Sequence, residues 1–164
     1  MKKHFSPAII LVSMFLFSFF VKDDNGTVKS IFLEKRISET PFADHIKEDL
    51  KGEHIIMFIN YGCWHCWTAI NKMDTLQQAN LVKDVIVFGS DFGDPNAKSE
   101  YAKNVLRPHK MYDYDWTTVP RKFTSQDPTL PQPPLAFYIK DNVIRLIFVK
   151  MPTPQEFKAI IKNS

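Results

Sequence analysis

Two cysteines are all that this chain of 164 residues contains. That number is too small for the disulfide framework on which small secreted scaffolds depend. It also falls short of a closed tetrahedral zinc site, which needs four ligands. Beyond the first 22 residues only His45, His54, His65 and His109 remain to complete one, and they do not cluster at His-x-x-x-His spacing. Net charge is equally scarce. The formal +3 resides in Lys2, Lys3 and Lys22, because residues 23–164 carry 18 basic against 18 acidic side chains. A folded region balanced in this way has no electrostatic footprint for nucleic acid. No internal repeat is visible, and one domain with a short extension accounts for the length.

The extension is marked by another absence: no acidic residue precedes Asp23. Met1-Lys2-Lys3-His4 is a basic start, five phenylalanines follow, and Ala8 to Val21 is apolar except for Ser13 and Ser18. The run has the length of a signal-peptide apolar region and is shorter than the ~20 residues that cross a bilayer. No Ala-x-Ala cleavage site follows it, and no cysteine is there to carry a lipid. Residues 1–22 therefore read as a signal peptide or a retained N-terminal membrane anchor. The protein is expected in the periplasm or on the outer face of the cytoplasmic membrane. Residues 23–40 read as a polar linker (Asp23–Thr27) and an N-terminal strand (Val28–Leu33), and residues 41–164 as the folded domain.

Within that domain Pro41–Leu50 is expected to be a short helix. The continuous apolar run His54–Asn60 is of strand length and reads as a central strand covered on both faces. From Cys63 onward Cys66, Ala69, Ile70, Met73 and Leu76 recur at helical spacing, one buried stripe ending near Ala79. Asp84–Ser90 is a second buried strand. Asp94-Pro95 starts a helix expected to reach about Leu106. Residues 108–134 hold six prolines together with Tyr112, Tyr114 and Trp116, and read as a long irregular region with a helical turn near Pro120–Thr124. Leu135–Lys140 and Val143–Val149 form a hairpin about Asp141-Asn142, a pair that tolerates positive φ. Thr153-Pro154-Gln155-Glu156 is a capping box that opens a terminal helix to about Lys162.

The two cysteines stand at Cys63-Trp64-His65-Cys66, directly after the central strand and at the start of a helix. Thiol–disulfide exchange uses this arrangement. Unpaired N–H groups and the helix dipole favour a thiolate at the first position, and the second lies one turn later. Cys63 is the expected nucleophile and Cys66 the resolving thiol. His65 can set an imidazole beside the thiolate, or be a solvated surface histidine. Trp64 can offer apolar contact to an unfolded client, or pack on the irregular loop. Trp67 reads as structural. A purely structural disulfide is poorly motivated, because a two-residue loop restricts the unfolded chain little.

The order of elements, the Cys-x-x-Cys after a buried strand and the proline just before the hairpin resemble the thioredoxin-like superfamily over roughly residues 50–162. The resemblance implies an α/β fold: a central mixed sheet with helices on both faces. It also implies a cis-proline that faces the cysteines and aligns a substrate peptide. That role falls on Pro133 or Pro134, with a slight preference for Pro134, and on Gln132 before them. One strand–helix insertion between the Cys-x-x-Cys helix and the hairpin resembles the TlpA/DsbE branch and is too short for a DsbA-type oxidase. The implied activity is that of a thiol:disulfide oxidoreductase acting on client proteins and recharged by a membrane redox partner, with no dissociable cofactor. Topology favours a reductase; His65 before the second cysteine resembles oxidases and isomerases. Copper chaperones share the fold but use a wider cysteine spacing, with His109 as the distant ligand to consider; an inert adaptor is the other alternative. Where relatives carry a buried acid six residues before the first cysteine, this chain has Met57, leaving water or a group such as Glu53 to relay the resolving proton.

Overall fold

In the computed structural model, which describes residues 20–22, 28–40, 43–46, 49–114, 133–148 and 150–162, the apolar run after Gly52 forms β3 (Glu53–Asn60), buried except at its two ends. Its side chains alternate. Ile55, Met57 and Ile59 enter one core layer and Ile56 and Phe58 the other, as the two-residue period of a strand requires. A strand apolar on both faces belongs in the middle of a sheet, and β3 is there. On one side lies β4 (Asp84–Ser90), parallel and in register from His54↔Asp84 to Asn60↔Ser90. β5 (Lys110–Asp113) pairs parallel with β4 and closes that edge. On the other side β6 (Leu135–Lys140), β7 (Val143–Phe148), β2 (Val28–Arg36) and β1 (Phe20–Lys22) follow in antiparallel succession. The seven-stranded mixed sheet has the order β1-β2-β7-β6-β3-β4-β5. Phe20–Lys22, the end of the N-terminal apolar segment, thus pairs with β2.

The described helices are α1 (Trp64–Gln78), α2 (Ala97–Asn104) and α3 (Pro154–Lys162). Each buries side chains in the layer that holds Met57: Cys66, Ala69, Ile70, Met73 and Leu76 from α1, Ala97 and Tyr101 from α2, Phe157 and Ile160 from α3. The β3-α1-β4 and β4-α2-β5 crossovers step the same way across the sheet, so right-handed connections lay both helices on one face. The opposite layer is closed by Ile37, in a short 3-10 turn over Ile37–Glu39, and by Ile46, Leu50 and Tyr114. Among the described residues the helix expected over Pro41–Leu50 is only a turn at 43–45. The helical turn expected near Pro120–Thr124, Trp116 and the linker Asp23–Thr27 lie outside the described residues.

Two expectations need correction. Lys110–Asp113, read as irregular, is an edge strand; one face of it is largely in solvent, so it carries no apolar alternation. α2 begins later and ends earlier than Asp94–Leu106. The Asp94 carboxylate accepts from the Asn96 N–H (2.9 Å) and its carbonyl from the Ala97 N–H (3.1 Å), a side-chain-closed turn that comes before the helix. Val105 is already extended at ψ 146°. The hairpin is as expected: Asp141 and Asn142 take φ of 50° and 63°, the pair of left-handed residues that a tight turn between twisted strands demands. So is the capping box. Thr153 N–H donates to Glu156 Oε2 (2.8 Å) and Glu156 N–H to Thr153 Oγ1 (3.3 Å).

Candidate active site

Strand β3 ends at Asn60, and Tyr61-Gly62 turn the chain into α1. Cys63 is the residue that caps this helix, in an extended conformation (φ −98°, ψ 112°). Its carbonyl accepts from the N–H groups of Cys66 (2.9 Å) and Trp67 (3.2 Å). No acidic side chain lies in the first turn of α1, so no carboxylate competes for the first-turn N–H groups and the positive end of the helix dipole beside Cys63. Both cysteines are free thiols, and their access to solvent differs. Cys63 is half-buried, whereas Cys66, one turn on and in the apolar stripe, is 1% exposed. Burial pushes the Cys66 thiol up to about 12; the hydrogen bond and the charge it shares with Cys63 push the same way, and a backbone hydrogen bond from Asn60 opposes them.

Trp64 and His65 both face solvent. Trp64 is 61% exposed and stacks on the His65 ring with centroids 3.7 Å apart. Pro133 and Pro134 stand just before β6, and the peptide bond between them is cis. Because Phe58 pairs with Leu135 in antiparallel register, this proline pair continues along the sheet edge at which β3 ends and the Cys63 turn begins. Gln132 lies outside the described residues.

This fold has counterparts among solved structures. A thiol:disulfide interchange protein of the thioredoxin family from Chlorobium tepidum TLS is 19% identical over 89% of this chain and 92% of its own, with a TM-score of 0.50. A protein described as thiol:disulfide interchange protein DsbE from Chlorobium tepidum is 17% identical over 88% of this chain and 89% of its own, with a TM-score of 0.52. The fold is that of thioredoxin. No family model and no curated protein matches the chain.

Within this thioredoxin fold, Met57 is fully buried under α1. Glu53 does not take over its role. It sits at the opposite end of β3, roughly 20 Å from Asn60 at ~3.3 Å per strand residue, where it accepts a hydrogen bond from the Tyr138 hydroxyl (2.9 Å). His109, considered as a distant metal ligand, has both ring nitrogens engaged: Nδ1 with the Tyr101 hydroxyl (2.8 Å) and Nε2 with Asp74 (2.8 Å). Sequence reasoning missed this buried Asp74–His109–Tyr101 set. Its signal was an acid, Asp74, inside the apolar stripe of α1 at helical spacing from Ile70. Trp67 is half-buried and its indole N–H donates to the Tyr61 carbonyl at 2.6 Å.

Proposed function

We propose that the chain is an exported thiol:disulfide oxidoreductase that exchanges disulfides with client proteins through Cys63 and Cys66, working as a reductase. One observation carries the reading. A partly accessible thiol caps a helix N-terminus, and a second thiol, shielded from solvent, lies one turn behind it. The Cys63 thiolate attacks a client disulfide. The client S–S bond breaks, a Cys63–client disulfide forms, and the displaced client sulfur takes up a proton. Cys66 then gives up its proton, the resulting thiolate attacks Cys63 Sγ, and the mixed disulfide breaks. A Cys63–Cys66 disulfide is left on the protein, and two electrons have passed to the client.

The causes that hold the Cys66 proton give the second step its timing. Besides burial, both upward influences on Cys66 come from the Cys63 thiol itself, and the Asn60 backbone hydrogen bond opposes them. Once Cys63 is in a mixed disulfide it carries neither proton nor charge. Those two influences disappear, and Cys66 ionises more readily when its attack is needed. Trp64 and His65 form the exposed apolar and polar border of the reacting sulfur, and the Pro133–Pro134 element with Gln132 aligns the client strand. A membrane redox partner recharges the couple. Residues 1–22, basic and then apolar, direct or tether the protein to the cell envelope.

His65, exposed one residue before Cys66, favours the second reading, an oxidase or isomerase. The potential of the Cys63–Cys66 couple separates the two: near thioredoxin's ~−270 mV it is a reductant, near ~−120 mV an oxidant. Insulin reduction tests the activity itself. The wild type is expected to be active and Cys63→Ser inactive, and Cys66→Ser should accumulate a client adduct visible on a non-reducing gel. Equal rates for wild type and both variants would sink the proposal.

A further inference from the structure

The turn that carries Cys63 is held from several directions. Tyr61 N–H donates to Ser90 O on β4 (2.9 Å), and Cys63 N–H to Asn60 O (3.2 Å). Gly62 N–H is taken by the Asn60 side-chain oxygen (2.8 Å). The Tyr61 ring is fully buried. It lies over Gly89 of β4, where an added Cβ would stand 2.1 Å from two ring carbons, and it meets Tyr101 edge-on at 5.4 Å between centroids. Its hydroxyl donates to Asp113 Oδ1 (3.3 Å), and Asp113 is in turn paired with Lys98 (2.6 Å). Tyr61 is thus an anchored residue two positions before the reacting cysteine.

We propose that Trp67 is a positioning residue for Cys63, its indole N–H gripping the anchored Tyr61 carbonyl and clamping the strand-to-helix turn onto the first turn of α1. The backbone N–H of Trp67 already reaches the Cys63 carbonyl (3.2 Å), so backbone and side chain of one residue hold the turn at Cys63 and at Tyr61. Gly89 makes the clamp possible, since any side chain there would displace the Tyr61 ring. In-line attack on a client disulfide needs the sulfur in one orientation, and preorganising the nucleophile is the chemical use of such a clamp. Trp67 acts through the backbone carbonyls of Tyr61 and Cys63. The inference rests on the reading of Cys63 and Cys66 as a redox couple.

The test compares full-length Trp67→Phe, which keeps an aromatic ring and loses the donor, with Lys103→Ala, which removes an exposed pair with Glu100 on α2 and leaves every contact of the turn in place. Loss of one hydrogen bond of ordinary net strength predicts that Trp67→Phe attacks insulin disulfides about fivefold more slowly. Its Cys63 alkylation by iodoacetamide should show a pH profile displaced from wild type, while Lys103→Ala stays close to wild type in both. A Trp67→Phe protein with the wild-type rate and profile overturns the proposal. So does a rate that falls only in proportion to the folded fraction measured by circular dichroism. If wild-type protein fails to exchange disulfides at all, the redox reading falls instead, and the alkylation profiles still decide the clamp.

Discussion

Cys63 and Cys66 are the same chemical group in two environments, and the difference between them has a consequence for stability as well as for exchange. The buried Cys66 thiol is held up to about 12, against ~8.5 for an ordinary thiol. Below the ordinary value both folded and unfolded chains keep this proton, and the contribution of Cys66 to stability is complete. Between there and about 12 the unfolded chain releases a proton that the folded chain retains, so stability falls as pH rises. The urea midpoint of the reduced protein is therefore expected to hold level to about pH 8.5 and decline above it. Cys66→Ala should flatten that decline up to about pH 10, where the buried tyrosines Tyr61, Tyr101 and Tyr138, also pushed upward by burial, begin to contribute their own. An undiminished slope in Cys66→Ala would assign the effect elsewhere. The placement of the two cysteines was legible in the sequence, because a three-residue spacing on a helix sets one sulfur at the cap and the other on the core stripe. Their environment was not, since the atoms that desolvate Cys66 come from elements remote in sequence.

At the scale of elements, α1 carries the site at its first turn and a buried polar set near its last. Asp74 is fully buried and His109 almost so, with side chains 0% and 1% exposed. His109 Nε2 meets Asp74 Oδ1 and its Nδ1 meets the Tyr101 hydroxyl, each at 2.8 Å, so both ring nitrogens are satisfied within the protein. The set joins α1, α2 and the approach to β5. His109→Ala leaves the buried Asp74 Oδ1 and the Tyr101 hydroxyl without their partner, and a buried polar group left unsatisfied costs about 1–3 kcal/mol. Lys103→Ala, which breaks the solvent-exposed pair with Glu100 (2.8 Å), should cost under about 1 kcal/mol. Urea denaturation of the two variants reads the contrast, and equal losses would mean that the buried set carries no special share of stability. The stripe of α1 and the capping box of α3 could be read from the chain because caps and apolar periodicity are local. Asp74, by contrast, is an acid inside that stripe, and its partner His109 comes to it from 35 positions away.

For the whole molecule, the described sheet begins at β1, Phe20–Lys22. A protein lacking residues 1–19 is expected to fold and to keep the proposed insulin-reducing activity, while losing the envelope location proposed for the full chain. Activity of the purified fragment and fractionation of producing cells check the two halves. A fragment that keeps its envelope location would remove the role given to the basic and apolar segment. No described helix is long and apolar enough to cross a membrane.

The sequence by itself determined the strand–turn–helix that presents Cys63, the place of Cys66 on the apolar stripe of α1, the hairpin turn and the capped terminal helix. Each follows from residues close together along the chain: two-residue and helical periodicities, a cap, a pair of residues that accept positive φ. Tertiary structure alone decided that Glu53 lies at the far end of β3 from Cys63, that Lys110–Asp113 joins the sheet, and that Tyr61, Gly89 and Trp67 meet at the turn before α1. These depend on which strand lies beside which. That choice is made by burial summed over the whole sheet, to which no short stretch of sequence contributes more than a part.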